Sequence, residues 1–120
     1  MTEPITGGCQ CGAVRYRCEG FGRASICHCR MCQKAFGAFY GPLVTGKGLV
    51  WTRGEPSWFQ SSNKVRRGFC AQCGTPLAYD WGGEVEVSIG STTRNSPRRS
   101  CRSIRPTSCP SLTACMRCRP

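Results

Sequence analysis

Seven cysteines gathered in three tight clusters constrain this chain more than any other feature of it. The clusters are Cys9-Gln10-Cys11-Gly12, Cys27-His28-Cys29-Arg30-Met31-Cys32 and Cys70-Ala71-Gln72-Cys73-Gly74. Zinc takes thiolates about 2.3 Å away at the corners of a tetrahedron. A C-x-x-C bend offers two sulfurs from one turn, and a following glycine lets the backbone curl under the ion. Cys70 and Cys73, followed by Gly74, have that form. A C-x-C pair on extended chain points both sulfurs to one side, because side chains repeat every two residues. Cys9 and Cys11 have that form. Two such half-sites make a closed, structural four-thiolate site that pins the start of the chain to its middle. The central cluster supplies three sulfurs, from Cys27, Cys29 and Cys32, and no obvious fourth. Three protein ligands with one open position describe a catalytic zinc site.

Metal ligation is the expectation rather than disulfide bonding. The opening Met1-Thr2-Glu3-Pro4-Ile5-Thr6-Gly7-Gly8 has neither the basic start nor the apolar core of a secretory signal. A cytoplasmic location follows as the expectation, and thiols there stay reduced. No apolar run approaches the roughly 18 residues of a membrane helix.

Charge and cysteine are unevenly spread along the 120 residues. The formal net charge is +11, from seventeen Lys and Arg against six acids. Residues 1–91 hold ten of the basic residues, all six acids and eight cysteines, a formal +4. Residues 92–120 hold seven arginines, four cysteines and no acid, a formal +7. Seven ligating thiolates and two zinc ions would bring residues 1–91 down to about +1, which weakens a nucleic-acid reading of that part. Its composition, rich in Arg, Ser, Pro and Cys, gives the last stretch too few apolar residues to offset ordering entropy. The expected organisation is a zinc domain over residues 1–91 and an atypical tail over residues 92–120.

Residue alternation points to strands. Val14, Tyr16 and Cys18 alternate with Arg15, Arg17 and Glu19, and Val85, Val87 and Ile89 with Glu84, Glu86 and Ser88. Leu77, Tyr79 and Trp81 give a third strand entered through Pro76. Shorter candidates are Gly48–Thr52, Ser57–Ser61 and Val65–Phe69. No window keeps a helical period for three turns, and at most one turn follows Cys29 through Met31 and Lys34. The reading is an all-β domain of short antiparallel strands with little helix, small enough to need a metal staple.

Other residues admit two readings each. Cys18 lies on the apolar face of its strand and reads as core. His28 could close the middle site as a fourth ligand, or point away and serve as a proton carrier or a surface group. Phe36, Phe39, Tyr40, Trp58 and Phe59 could line a pocket or fill the core. Lys64, Arg66 and Arg67 could grip a carboxylate or simply be solvated.

The ordered clusters resemble the glutathione-dependent formaldehyde-activating family, which also includes centromere protein V. The stretches that carry the resemblance are Gly7-Gly8-Cys9-Gln10-Cys11-Gly12-Ala13-Val14-Arg15-Tyr16, Cys27–Cys32, Phe59-Gln60-Ser61-Ser62 and Arg67-Gly68-Phe69-Cys70-Ala71-Gln72-Cys73-Gly74-Thr75-Pro76-Leu77, within residues 5–91. The resemblance implies an Mss4-like β fold with two zinc ions. It implies that Cys9, Cys11, Cys70 and Cys73 hold a structural zinc, and that Cys27, Cys29 and Cys32 hold a catalytic one. It further implies a carbon–sulfur lyase that joins glutathione, or a similar thiol, to formaldehyde or another small aldehyde. On this reading His28 or a water moves the proton. The alternative class is a non-catalytic zinc module for protein or nucleic-acid partners, with the second site closed by His28 or Cys18. After Ile89-Gly90-Ser91 the family pattern of acids and further strand is replaced by Arg, Ser, Pro and Cys. That abrupt change points to a frameshift near Ser91 in the gene or its recorded sequence. Cys101, Cys109, Cys115 and Cys118 lie in this tail, where a third zinc site or an arginine-based nucleic-acid contact is the competing functional reading.

Overall fold

A computed structural model describes residues 3–93 of the protein. Among these residues nine strands form two antiparallel sheets, accompanied by one short α-helix. The first sheet has three strands in the order β1 (Ile5–Gly8), β2 (Arg15–Cys18) and β5 (Val50–Arg53). The second has six, in the order β3 (Gly20–Cys27), β4 (Gly41–Lys47), β9 (Glu86–Ser88), β8 (Pro76–Asp80), β7 (Arg66–Phe69) and β6 (Ser57–Gln60). Helix α1 spans Arg30–Phe36 and joins β3 to β4. This is the all-β, Mss4-like architecture expected from the sequence. Cys101, Cys109, Cys115 and Cys118, with the tail readings attached to them, lie outside the described residues.

The core sits where the two sheets meet. Tyr16, Cys18, Leu77 and Val87 are fully buried there, and Val14 and Val44 pack beside them. Cys18 is therefore a core residue, as its strand position implied. A buried phenol needs a partner. Tyr16 finds one in Ser91, at 2.7 Å, and Ser91 in turn donates to the Ser88 carbonyl at 2.8 Å. The serine's single proton is thus committed, so the Tyr16 hydroxyl donates to it. Thr92 bridges to Gly7, and the Thr93 amide donates to the Thr6 carbonyl at 2.8 Å, so the chain as far as Thr93 packs on β1.

The fold departs from the sequence pattern at several elements. The helix is two turns long rather than one. The Cys29 thiol accepts from the Cys32 amide at its start, and Gly37, at φ 63°, closes its end in the left-handed conformation. Trp81 lies beyond β8 and is largely exposed, and Ile89 belongs to a 3-10 turn (Ile89–Ser91) rather than to β9. Strands β1, β3 and β4 have no counterpart in the alternation. Strand β4 lies between β3 and β9 and is buried at most positions along its length, so its sequence runs apolar without a period of two.

One sheet contact yields a pH prediction. Arg66 on β7 faces Asp80 on β8, with Nε 2.9 Å from the carboxylate, and its guanidinium lies 4.0 Å over the Trp58 ring. The Gly82 amide, and then Arg66, hold the Asp80 carboxyl below its ordinary value. A carboxylate depressed in the folded state stabilises the fold above its unfolded pKa, and that stabilisation is lost as pH falls through the folded value. Asp80→Asn is therefore expected to lower the melting temperature most near neutral pH, with the deficit closing below about pH 4. The pair is solvent-facing, so the effect is small. A deficit that stays constant with pH would assign the loss to packing instead.

Candidate functional site

The first cysteine group joins two turns from different sheets. Cys9 and Cys11 occupy the connection between β1 and β2, a turn rather than the extended segment that their C-x-C spacing suggests, and Cys70 and Cys73 the connection between β7 and β8. Their four sulfurs lie within 4.8 Å of one another. A tetrahedron with sulfurs 2.3 Å from its centre has edges of about 3.8 Å. The Cys9–Cys11 and Cys11–Cys70 sulfur separations are 3.6 and 3.7 Å. The donor set and its spacing therefore fit a closed zinc site.

Local hydrogen bonds shape each turn. The Val14 amide donates to the Cys9 sulfur at 3.3 Å, and the Cys9 amide returns a bond to the Val14 carbonyl at 3.1 Å. In the second turn the Gly74 amide donates to the Cys70 carbonyl at 2.8 Å. Gly12 and Gly74 have φ of 87° and 77°, a backbone region that side chains resist, which explains the glycine after each pair. Hydrogen bonds from Thr75 hold the Cys73 thiol down to about 5, so a thiolate forms readily there.

The second group comprises Cys27 at the end of β3, Cys29 at the cap of α1, and Cys32 in its first turn. These sulfurs also lie within 4.8 Å of one another. Among the described residues no fourth His, Cys, Asp or Glu side chain joins them. His28 is exposed, with Nδ1 3.3 Å from the Phe39 carbonyl oxygen, and Cys18 is in the core. Neither closes the cluster. Cys29 is exposed, Cys27 half-buried and Cys32 buried, so the group opens to solvent on one side.

Electrostatics distinguish the three thiols. The Cys32 amide, donating at 3.3 Å, holds the Cys29 thiol down to about 7. Burial pushes Cys32 up to about 11, against the pull of Arg67 and with its two neighbouring cysteines adding to the rise. Three thiolates at this separation repel one another, and a divalent cation among them removes the conflict.

Arg67, one of three basic residues that the sequence offers for gripping a carboxylate, turns instead to the cysteine cluster. Its Nη1 and Nη2 donate to the Cys32 sulfur at 3.5 and 3.4 Å, and its Nε donates to the Ser61 hydroxyl at 3.0 Å. The guanidinium lies 5.0 Å from the centre of the Tyr79 ring. Adjacent strand residues face opposite ways. Arg66 therefore turns to Asp80 while Arg67 turns to the sulfurs, and the basic run divides between two tasks. The aromatic candidates divide as well. Phe36 and Phe59 line a cavity beside Arg67, Trp58 packs against the core, and Phe39 and Tyr40 meet edge to face at 4.9 Å near His28.

Comparison with known proteins adds to this geometry. The model of the family described as glutathione-dependent formaldehyde-activating enzyme matches residues 4–108, a span that runs past Ser91. A crystal structure of a Rhodobacter sphaeroides protein has a similar fold, with a TM-score of 0.61 at 25% identity, over 78% of this chain and 92% of that one. No curated protein matches the chain. Among the described residues no helix is long and apolar enough to cross a membrane.

Proposed function

This chain belongs to the glutathione-dependent formaldehyde-activating family, and on that premise we propose that it is a zinc-dependent carbon–sulfur lyase joining a thiol such as glutathione to a small aldehyde. The observation that carries this reading is the three-sulfur group with no fourth protein ligand among the described residues. Cys27, Cys29 and Cys32 would hold the catalytic zinc, and Cys9, Cys11, Cys70 and Cys73 the structural one. Zinc bound at the three-cysteine site supplies an open coordination position and the charge that keeps a thiol deprotonated near neutral pH.

The chain's own residues do the rest. Cys29 and Cys27 form the open rim at which a thiol arrives. Three thiolates around a divalent ion carry a formal charge of −1, and the Arg67 guanidinium, donating twice to Cys32, offsets it. Arg67 is thus a positioning residue that fixes the buried ligand and its charge. In the reaction a sulfur–carbon bond forms as the carbonyl π bond opens. The proton lost by the thiol ends on the former carbonyl oxygen. His28, exposed beside the cluster, or a water carries it. Thiols and aldehydes combine unaided, so the catalytic gain comes from supplying thiolate and holding the partners together.

Elemental analysis before and after mild chelation tests the proposal. The expected result is two zinc ions per chain, one of them readily removed, with glutathione-dependent consumption of formaldehyde falling in step and returning when zinc is restored. Two tightly held ions, or one in total, with no turnover would replace the enzyme by a zinc-stabilised binding module.

A further inference from the structure

The cavity beside the three-cysteine group has a volume of about 240 Å³. Its walls are mostly apolar, formed by Phe36, Leu43, Phe59, Phe69 and Leu77, with Arg67 and Tyr79 as its chief polar groups. Three observations tie it to the sulfurs. Arg67 lines the cavity and donates to Cys32. Cys32, Ala35 and Phe36 fall on one face of α1, at the spacings of three and four residues that a helix brings together. The Cys32 and Phe36 side chains also close on the same point of the β4 backbone. A Cβ placed on Gly41 would lie 3.0 Å from both. The cavity is therefore one side chain away from the reacting centre, and the exposed Phe59 stands at its wall.

Formaldehyde carries no substituent on its carbonyl carbon, so it would leave such a space empty. At about 30 Å³ per water-sized group, the cavity takes about eight heavy atoms. Ligand pockets of this kind are apolar with a few placed polar groups. We infer that the cavity receives the hydrocarbon substituent of the carbonyl substrate, so that the preferred aldehydes carry an alkyl or aryl group of about five to eight carbons. The inference rests on the lyase reading above. Arg67, which donates to Cys32, and Tyr79, whose ring lies against the Arg67 guanidinium, mark the sulfur end of the cavity, where the carbonyl lies while the chain fills the apolar end.

Two measurements on the zinc-loaded full chain test it. With glutathione as thiol, kcat/KM for hexanal is expected to exceed that for acetaldehyde by about 30-fold or more, since each buried methylene is worth about fourfold. Ala35→Phe, which narrows the cavity from an exposed helix position, is expected to reduce that ratio by about tenfold. Independently, 1-hexanol, which matches the substituent but cannot react, is expected to shift the Leu43 and Leu77 methyl resonances saturably. A hexanal-to-acetaldehyde ratio near one, or methyl resonances that 1-hexanol leaves in place, would overturn the inference and mark the cavity as unfilled core. Shifted methyls with no turnover of any aldehyde would overturn the lyase reading instead, while supporting an apolar ligand in the cavity.

Discussion

Cys29→Ser is expected to lose one zinc ion per chain and at least ~100-fold of thiol–aldehyde activity, while its melting temperature stays within about 5 °C of the parent. The substitution separates two roles of one sulfur. Cys29 caps α1, accepting from the Cys32 amide, and it is also one of three sulfurs within ligating distance of one another. Serine is among the best helix caps, so the hydroxyl takes over the amide and α1 persists. A neutral hydroxyl is a poor replacement for a thiolate on zinc, so a site already limited to three protein ligands falls to two. Cys29→Ala makes the informative companion. It removes the ligand and the cap together, and should cost a further ~1 kcal/mol of stability. Zinc content, activity and thermal melting of both variants check the claim. Full activity in Cys29→Ser would remove the three-cysteine site from the mechanism.

The parts of the molecule that were legible in the sequence are those set by short-range spacing. Cys70 and Cys73 sit within one turn, and Gly74 after them has the positive φ that its position requires; Cys9 and Cys11 pair as their spacing indicates, but through a turn closed by Gly12 rather than along extended chain. The strand carrying Tyr16 was legible because one of its faces is buried and the other solvated. Strand β4 was hidden for the opposite reason. Its place inside the six-stranded sheet buries Leu43 and Val44 in succession, which erases the alternation. Helix α1 shows in the sequence as no more than one turn, because two turns are too few for a period to show and a cysteine stands where a serine or aspartate would announce a cap. The role of Arg67 depends on the register of β7 against β8. Sequence alone shows three basic residues at Lys64, Arg66 and Arg67, and only pairing with Tyr79 decides which guanidinium reaches the sulfurs. The same holds for the aromatics. Phe36 and Phe39 are three residues apart in sequence, yet Gly37 ends the helix between them and sends only the first toward the cavity.

The opposite behaviour is expected at the other cysteine group. Cys70→Ser should abolish the cooperative thermal transition, or lower its midpoint by about 20 °C or more, whether or not the three-cysteine site still binds metal. Cys70 is fully buried, and its sulfur lies 3.7 Å from that of Cys11 across a sequence gap of about sixty residues. Among the described residues, this is the group of potential metal ligands that bridges the two sheets. Structural zinc in small domains contributes about 10–16 kcal/mol at neutral pH, against a total stability of about 5–15 kcal/mol for an ordinary domain. A domain of short strands with a thin core cannot absorb such a loss, whereas the three-cysteine site is attached to a framework that stands without it. Serine at position 70 keeps most of the volume, so a cavity does not explain a large effect. Circular dichroism melting, with zinc released by chelation as a parallel route to the same state, checks it. A Cys70→Ser protein that melts cooperatively near the parent temperature would mean that these four sulfurs are packing neighbours and that the fold is held by its sheets alone.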